Sequence, residues 1–432
     1  MKTLLDRVPP AWMDWAGYGC VLALPLALLH ARAVAEMLIA GADVAFLLRA
    51  WRAGDWGWAR ERFAAAALVW WAVQAAASVL AMADVGLALA AVRFPLLAVA
   101  TAASLRGGVG RARVVWWVIA AAFVWIAVEC WQQALFGSNL FGQPRWSDGA
   151  LTGPFNKPRA GPALILVFFP VVVPAVSALL ARPLVWARGA ALLVAACSAA
   201  TVVLVGQRMP TLLLAIGMAL SALFVRGLRV AFAAAVLAGG AVLAAAPYAT
   251  PAMYEKLVTH TEAQLGDFAH SAYGEIWVRA AVLAEQRPWT GWGFDGFRRH
   301  CNDRAAVRGL PVLGVTQADA DSATDACNIH PHNYYLEAAN NGGLPLLAAF
   351  VAMVAAALWR VWAAGSTGVL IGAIVAFWPI ASTSGFHTLP NAGWVFLLLG
   401  LGFSGLPPAG KGFALASHWG RGPQTPIYGL GG

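Results

Sequence analysis

The run His330-Pro331-His332-Asn333-Tyr334-Tyr335-Leu336-Glu337 sets two imidazoles, an amide and a carboxylate where a long polar stretch meets a fresh apolar one. A neutral imidazole can take a proton from a hydroxyl near physiological pH, which makes His332 the candidate general base. Asn333 and Glu337 stand at helical spacing, so a helix beginning here would place them on one face. Its positive end would favour an anion and keep a nearby imidazole neutral. Glu337 reads equally as an orienter of the histidine, a partner for an arginine or a carboxylate complementing the helix dipole. His330 is secondary. A second candidate, Arg208, lies in the turn Gln207-Arg208-Met209-Pro210 between two apolar runs. Its planar, permanently charged fork matches phosphate oxygens, so Arg208 is the expected leaving-group clamp, supported by Lys157, Arg159 and Arg287. Asp319, Asp321 and Asp325 fall in what reads as a flexible loop. They make a weak case for a metal, and no cofactor is expected.

These groups must be positioned by a membrane bundle. Of 432 residues 60% are apolar and only 11% charged, and the mean hydropathy is +0.68. A soluble domain carries about a quarter charged residues. The apolar runs are roughly 20 residues long and lack strict alternation, which fits helices and not barrel strands. They lie near 12–29, 33–48, 63–82, 85–105, 114–135, 162–180, 189–205, 211–225, 230–246, 335–359, 367–382 and 393–406. The expected fold is therefore an all-α integral membrane protein, a polytopic bundle of about twelve transmembrane helices with one large loop region containing short helices. The expected divisions are an N-terminal bundle over 1–246, the large segment over 247–333, C-terminal helices over 334–408 and a tail over 409–432. Many of the 21 tryptophans sit at run ends, among them Trp12, Trp15, Trp56, Trp58, Trp289 and Trp292, where amphipathic rings favour the interface.

The net charge of +9 comes from arginines scattered through short loops, so topology accounts for it and nucleic acid is not an expected partner. Lys2, Arg7, Arg49, Arg52, Arg60, Arg62, Arg106, Arg111, Arg113, Arg182, Arg188, Arg226, Arg229 and Arg360 fall in alternate loops, which the positive-inside rule places in the cytoplasm with both termini. Lys157, Arg159, Arg208, Arg287 and His332 then all fall on the outer face, where that rule gives no reason for them.

The outer segment is far too long for a connector. Within it, 273–286 has apolar residues at helical spacing, and Pro288 stops the helix. The glycine turn Gly291-Trp292-Gly293-Phe294-Asp295-Gly296 is a weak signal for phosphate binding. Cys301 and Cys327 share the segment, which leaves an extracytoplasmic disulfide open, whereas Cys20, Cys130 and Cys197 read as packing residues. Arg93, inside an apolar run, needs a partner such as Asp43, Glu36 or Glu129. It reads as structural, at an Arg93-Phe94-Pro95 kink, or as part of a lipid-phosphate path. His387, in an outer turn, reads as solvated.

Taken in order, Gly153-Pro154-Phe155-Asn156-Lys157-Pro158, Gln207-Arg208, Pro288-Trp289-Thr290-Gly291-Trp292-Gly293 and the His330–Glu337 run resemble the O-antigen ligase and polymerase superfamily of bacterial envelopes over nearly the whole chain. The chain departs from the family at Gln207, where a small residue is common. The resemblance implies a multi-pass protein of the bacterial inner membrane with its site facing the periplasm. It implies an inverting, metal-independent transfer of O-antigen from undecaprenyl pyrophosphate to a sugar of the lipid A-core. His332 and Arg208 match the family's essential histidine and arginine; Lys157, Arg159, Arg287, Asn333, Glu337, His330 and Arg93 are the expected substrate-binding residues. Donor, acceptor and membrane lipids are the expected partners. A polymerase or a protein O-oligosaccharyltransferase of the same superfamily is the alternative. A transporter is the reading from another class, weakened by the absence of an internal repeat and by polar groups gathered at one boundary.

Overall fold

Hydrocarbon offers backbone N–H and C=O groups no partner, so long apolar segments close their hydrogen bonds internally as helices. A computed structural model describes residues 9–323, 327–381 and 385–405. Lys2, Arg7, Asp325 and all of the expected tail lie outside the described residues. In chain order the helices are α1 (Pro10–His30), α2 (Arg32–Ala53), α3 (Arg62–Leu80), α4 (Val85–Ala90), α5 (Arg93–Leu105), α6 (Val109–Phe136), α7 (Ala160–Leu180), α8 (Val185–Leu204), α9 (Arg208–Phe224) and α10 (Arg229–Ala249). The long segment folds into α11 (Pro251–Tyr254), α12 (His260–Gly266), α13 (Ala272–Gln286), α14 (Gly296–His300) and α15 (Gln317–Ser322). The chain then re-enters the bundle as α16 (Tyr334–Ala363), α17 (Thr367–Ala376) and α18 (Asn391–Phe403).

The protein is all-α and polytopic. Among the described residues, eight spans are long and apolar enough to cross a membrane, one of them formed by α4 and α5 together, and Arg208–Phe224, Thr367–Ala376 and Asn391–Phe403 are shorter apolar helices. Each apolar run of the sequence corresponds to a helix. α2 has the length but carries Arg32, Glu36, Asp43, Arg49 and Arg52. The run 85–105 is interrupted between α4 and α5, so Arg93 opens a helix where a kink was expected.

Helix pairs pack through small residues that let backbones approach: α8 meets α10 with Ala191, Ala195 and Ala199 buried on one and Ala231 and Ala235 on the other. Ion pairs define one end of the bundle. Asp14 binds Arg49 at 2.9 Å and Arg111 at 2.8 Å, and Glu61 binds Arg106 at 3.8 Å and also Arg360. The opposite end gathers the loop 137–159, the turn at Gln207, the long segment and the loop before α18, with Leu151 N donating to Val205 O at 2.9 Å.

α16 breaks after its first two turns. Gly342 and Gly343 leave helical geometry, Gly343 at φ 65°, a conformation that favours glycine. Across the break Leu344 N donates to Pro288 O at 2.7 Å, so the long segment is laced to the start of α16. A β-carbon at Gly343 would strike that same Pro288 carbonyl.

Candidate functional site

α16 starts where it does because Asn333 caps it. The Asn333 Oδ1 accepts from Tyr335 N at 2.9 Å and Leu336 N at 3.1 Å, and Nδ2 donates to Pro379 O at 2.7 Å. Asn333 therefore precedes the helix that Glu337 belongs to, and its side chain serves the cap. His332, one residue earlier, is held at φ 53°, uncommon for a residue with a β-carbon. Its ring meets the edge of Tyr273 at 5.5 Å between centroids and that of His330 at 4.4 Å. Burial, then the neighbouring His332, lowers the His330 pKa to about 4, and among the described residues its buried Nε2 has no hydrogen-bond partner. Of the three readings of Glu337, none names the partner it has: Oε2 accepts from Phe386 N at 2.9 Å, tying the loop before α18 to α16.

Arg208 is the first residue of α9. Its Nη1 donates to Gln264 Oε1 on α12 at 2.5 Å. Gln207 Nε2 donates to Pro158 O at 2.5 Å, which seats the turn carrying Lys157 and Arg159 against the turn carrying Arg208. Arg159 directly precedes α7, and its pKa is lowered by burial and then by the charge of Arg32. Arg287 lies over the Trp292 ring, 3.9 Å from its centroid. Among the described residues Arg32, Lys157, Arg159, Arg208 and Arg287 have no carboxylate at ion-pair distance. Acids do reach other cations at this end: Asp148 pairs with Lys256, and Glu285 with Arg308. Arg93 is also paired, its Nε 2.9 Å and Nη2 3.2 Å from the Glu36 carboxylate. Of its three candidate partners Glu36 is the one.

The long segment is braced from several sides. Asn340 Nδ2 donates to Ala280 O at 3.0 Å, fastening α13 to α16. Trp292 N and Gly293 N donate to the carbonyls of Asn340 and Asn341 at 2.7 and 2.9 Å. These amides of the glycine turn thus satisfy carbonyls freed by the break in α16, which corrects the phosphate-loop reading of that cluster. Cys301 and Cys327 form a disulfide, and the buried Arg279 donates from Nη1 to Cys301 O at 2.9 Å. Trp292 is drawn inward, its Nε1 donating to Leu283 O at 2.8 Å, whereas Trp12, Trp15, Trp56 and Trp289 remain exposed.

Two further expectations are revised. Asp319 and Asp321 lie on a short helix, where Asp319 completes a capping box with Thr316 and Asp321 accepts from Gln317 Nε2 at 2.9 Å. Among the described residues no three His, Cys, Asp or Glu side chains gather as a metal ligand set. His387 stacks on Trp70 at 5.3 Å and packs 4.9 Å from the Phe294 ring, where burial and then the Arg93 charge lower its pKa to about 3. It is an enclosed neutral ring and not a solvated one.

The structure thus brings His330, His332 and Tyr273 together, and the Lys157–Arg159 turn together with Arg208. Arg93 and Glu337 bond instead with Glu36 and the Phe386 amide. Both candidate catalytic side chains lie at the same end of the bundle, held by successive helices of one segment through Gln264 and Tyr273. Sequence reasoning passed over Arg32, Gln264 and Tyr273. Arg32 was within reach of the charge argument, since it too falls on the face where positive-inside bias is silent. Nothing local marks Gln264.

Fold and site together define a polytopic membrane protein whose cations and imidazoles collect at one end beneath a folded loop segment. Over residues 193–351 the chain matches Wzy_C, the family model described as O-Antigen ligase. The match includes Arg208, Arg287, His330, His332, Asn333 and Glu337, while Arg93, Lys157 and Arg159 precede it. No curated protein matches the chain.

Proposed function

We propose that the protein is an O-antigen ligase of the bacterial inner membrane, moving O-antigen polysaccharide from undecaprenyl pyrophosphate to a hydroxyl of the lipid A-core. One observation carries this reading: within the family-matched stretch, a single loop segment holds Arg208 through Gln264 and His332 through Tyr273. A lipid pyrophosphate is already a good leaving group. The protein must therefore align two lipids and meet the charge that develops. The acceptor oxygen bonds to the anomeric carbon as the bond from that carbon to the pyrophosphate oxygen breaks, and one in-line step inverts the centre. The electron pair leaves with undecaprenyl pyrophosphate, stabilised by Arg208 with Lys157, Arg159 and Arg287; the acceptor proton passes to His332. No step requires a metal. Asn333 and Glu337 position the start of α16, His330 packs beside the base, and Arg93 with Glu36 braces α2 against α5. The ion-paired arginine end faces the cytoplasm and the site faces the periplasm.

The test is reconstitution with a defined undecaprenyl pyrophosphate glycan and rough lipopolysaccharide, with chelator present. Capped lipopolysaccharide is the expected product, lost with His332→Ala and reduced to a trace with Arg208→Ala. A lengthened lipid-linked glycan in its place would identify a polymerase, and transfer that stops on chelation and returns with a divalent ion would overturn the metal-free chemistry.

A further inference from the structure

We infer that Tyr273 is a specificity-determining residue of this site, its phenol hydroxyl hydrogen-bonding the acceptor sugar beside His332. The inference rests on the reading that His332 takes the acceptor proton, and it adds a recognition group that the sequence motifs do not contain.

Tyr273 is placed with little freedom. α13 is amphipathic and buries Ile276, Ala280 and Leu283 against the long segment's own small core, which fixes the rotation of the helix. Its start is set by Ser271, whose Oγ accepts from Gly274 N at 3.1 Å. At position 274 a β-carbon would collide with the Phe268 carbonyl, so the first turn sits tightly on the preceding bend. The half-buried Tyr273 ring then meets His332 at 5.5 Å with the planes 89° apart. An edge-on ring of this kind restricts the imidazole orientation. A phenylalanine would do that equally well. What tyrosine adds is a hydroxyl, and among the described residues that hydroxyl makes no hydrogen bond.

The reaction geometry says which substrate it meets. In an in-line inverting displacement the nucleophile and the leaving group occupy opposite faces of the anomeric carbon. The base must touch the nucleophile, so groups packed on His332 belong to the acceptor side, and Arg208 to the leaving-group side. A neutral phenol both donates and accepts, which matches a sugar hydroxyl. The pyrophosphate is instead matched by the cations that lack carboxylate partners.

Tyr273→Phe removes only the oxygen, and Tyr273→Ala removes the ring. Two-substrate kinetics in nanodiscs, with undecaprenyl pyrophosphate glycan and rough lipopolysaccharide each varied, should show Tyr273→Phe raising the acceptor KM about threefold to tenfold, the range of one neutral hydrogen bond, with the donor KM unchanged. Tyr273→Ala should in addition lower kcat, because the imidazole loses the ring that restricts its orientation. Binding of rough lipopolysaccharide to His332→Ala and to the His332→Ala/Tyr273→Phe double variant gives the same comparison without turnover, the double variant binding more weakly. An unchanged acceptor KM in Tyr273→Phe, or a rise confined to the donor KM, overturns the assignment while leaving the base in place. Retained transfer by His332→Ala instead removes the base, and the Tyr273 assignment falls with it.

Discussion

Asn333 offers the most direct link between local structure and the site, because its amide follows the two histidines directly and starts α16. Asn333→Ala removes the acceptor for Tyr335 N and Leu336 N and the donor to Pro379 O. The residue is only 4% exposed, so water does not readily replace those partners. A lost N-cap costs about 1 kcal/mol, and a lost side-chain hydrogen bond costs about 1 kcal/mol more. A total of about 2 kcal/mol lowers the ratio of closed to frayed first turn roughly 30-fold. Asn333→Asp keeps the capping oxygen and loses the donor, so about half of the cost remains. Hydrogen exchange at the Tyr335 and Leu336 amides, measured in nanodiscs, should accelerate by that factor in Asn333→Ala and much less in Asn333→Asp. Transfer should fall in the same order, since fraying releases the neighbouring His332. Wild-type exchange at both amides in the alanine variant would refute the capping role and with it the claim that the cap positions the histidine.

Three other outcomes are expected. Arg208→Ala should lose about 100- to 1,000-fold in transfer rate, as removal of a charge-stabilising donor does elsewhere, with Arg208→Lys intermediate because charge without the fork gives up bidentate geometry; a fully active lysine variant would show that charge alone suffices. The pKa of His330 is depressed to about 4 from its ordinary 6.5, so the unfolded chain takes up a proton that the folded one refuses. Its contribution to stability is therefore present above about 6.5 and is lost as pH falls toward about 4; thermal melts at several pH values should be less acid-sensitive in His330→Gln than in wild type. Cys301 and Cys327 are 26 residues apart in sequence, a loop whose closure is worth roughly 3 to 4 kcal/mol in the chain-entropy model. Reductant, or Cys301→Ser with Cys327→Ser, should raise proteolytic cleavage within 302–326 and leave the bundle folded, as limited digestion with intact-mass analysis would show.

Much of the candidate site was legible because charge and hydrophobic length are properties of short stretches. Arg208 and His332 stood out by falling at the boundaries of apolar runs, on the face where topology gave them no reason to be. The limits of α13 were set by apolar spacing and Pro288. Less legible were residues whose meaning depends on a distant partner. Arg93 had three candidate carboxylates until the packing of α2 on α5 presented Glu36. His387 looked solvated because its own neighbours form a turn, yet Trp70 and Phe294 enclose it from elsewhere in the chain. The glycine turn could have served a phosphate; the break at Gly342 and Gly343 supplied carbonyls that took its amides first.

By itself, then, the sequence determined a helical membrane protein, the helices that compose it, the dominance of one long segment and the gathering of cations toward one boundary. These follow from transfer of apolar residues into hydrocarbon and from counting charges between the runs. Tertiary structure alone decided which side chains meet: Gln264 with Arg208, Tyr273 with His332, Gln207 with the turn that carries Lys157 and Arg159. Such meetings depend on how helices far apart in the chain pack and on where their caps and breaks leave backbone groups in need of partners. No local pattern encodes that.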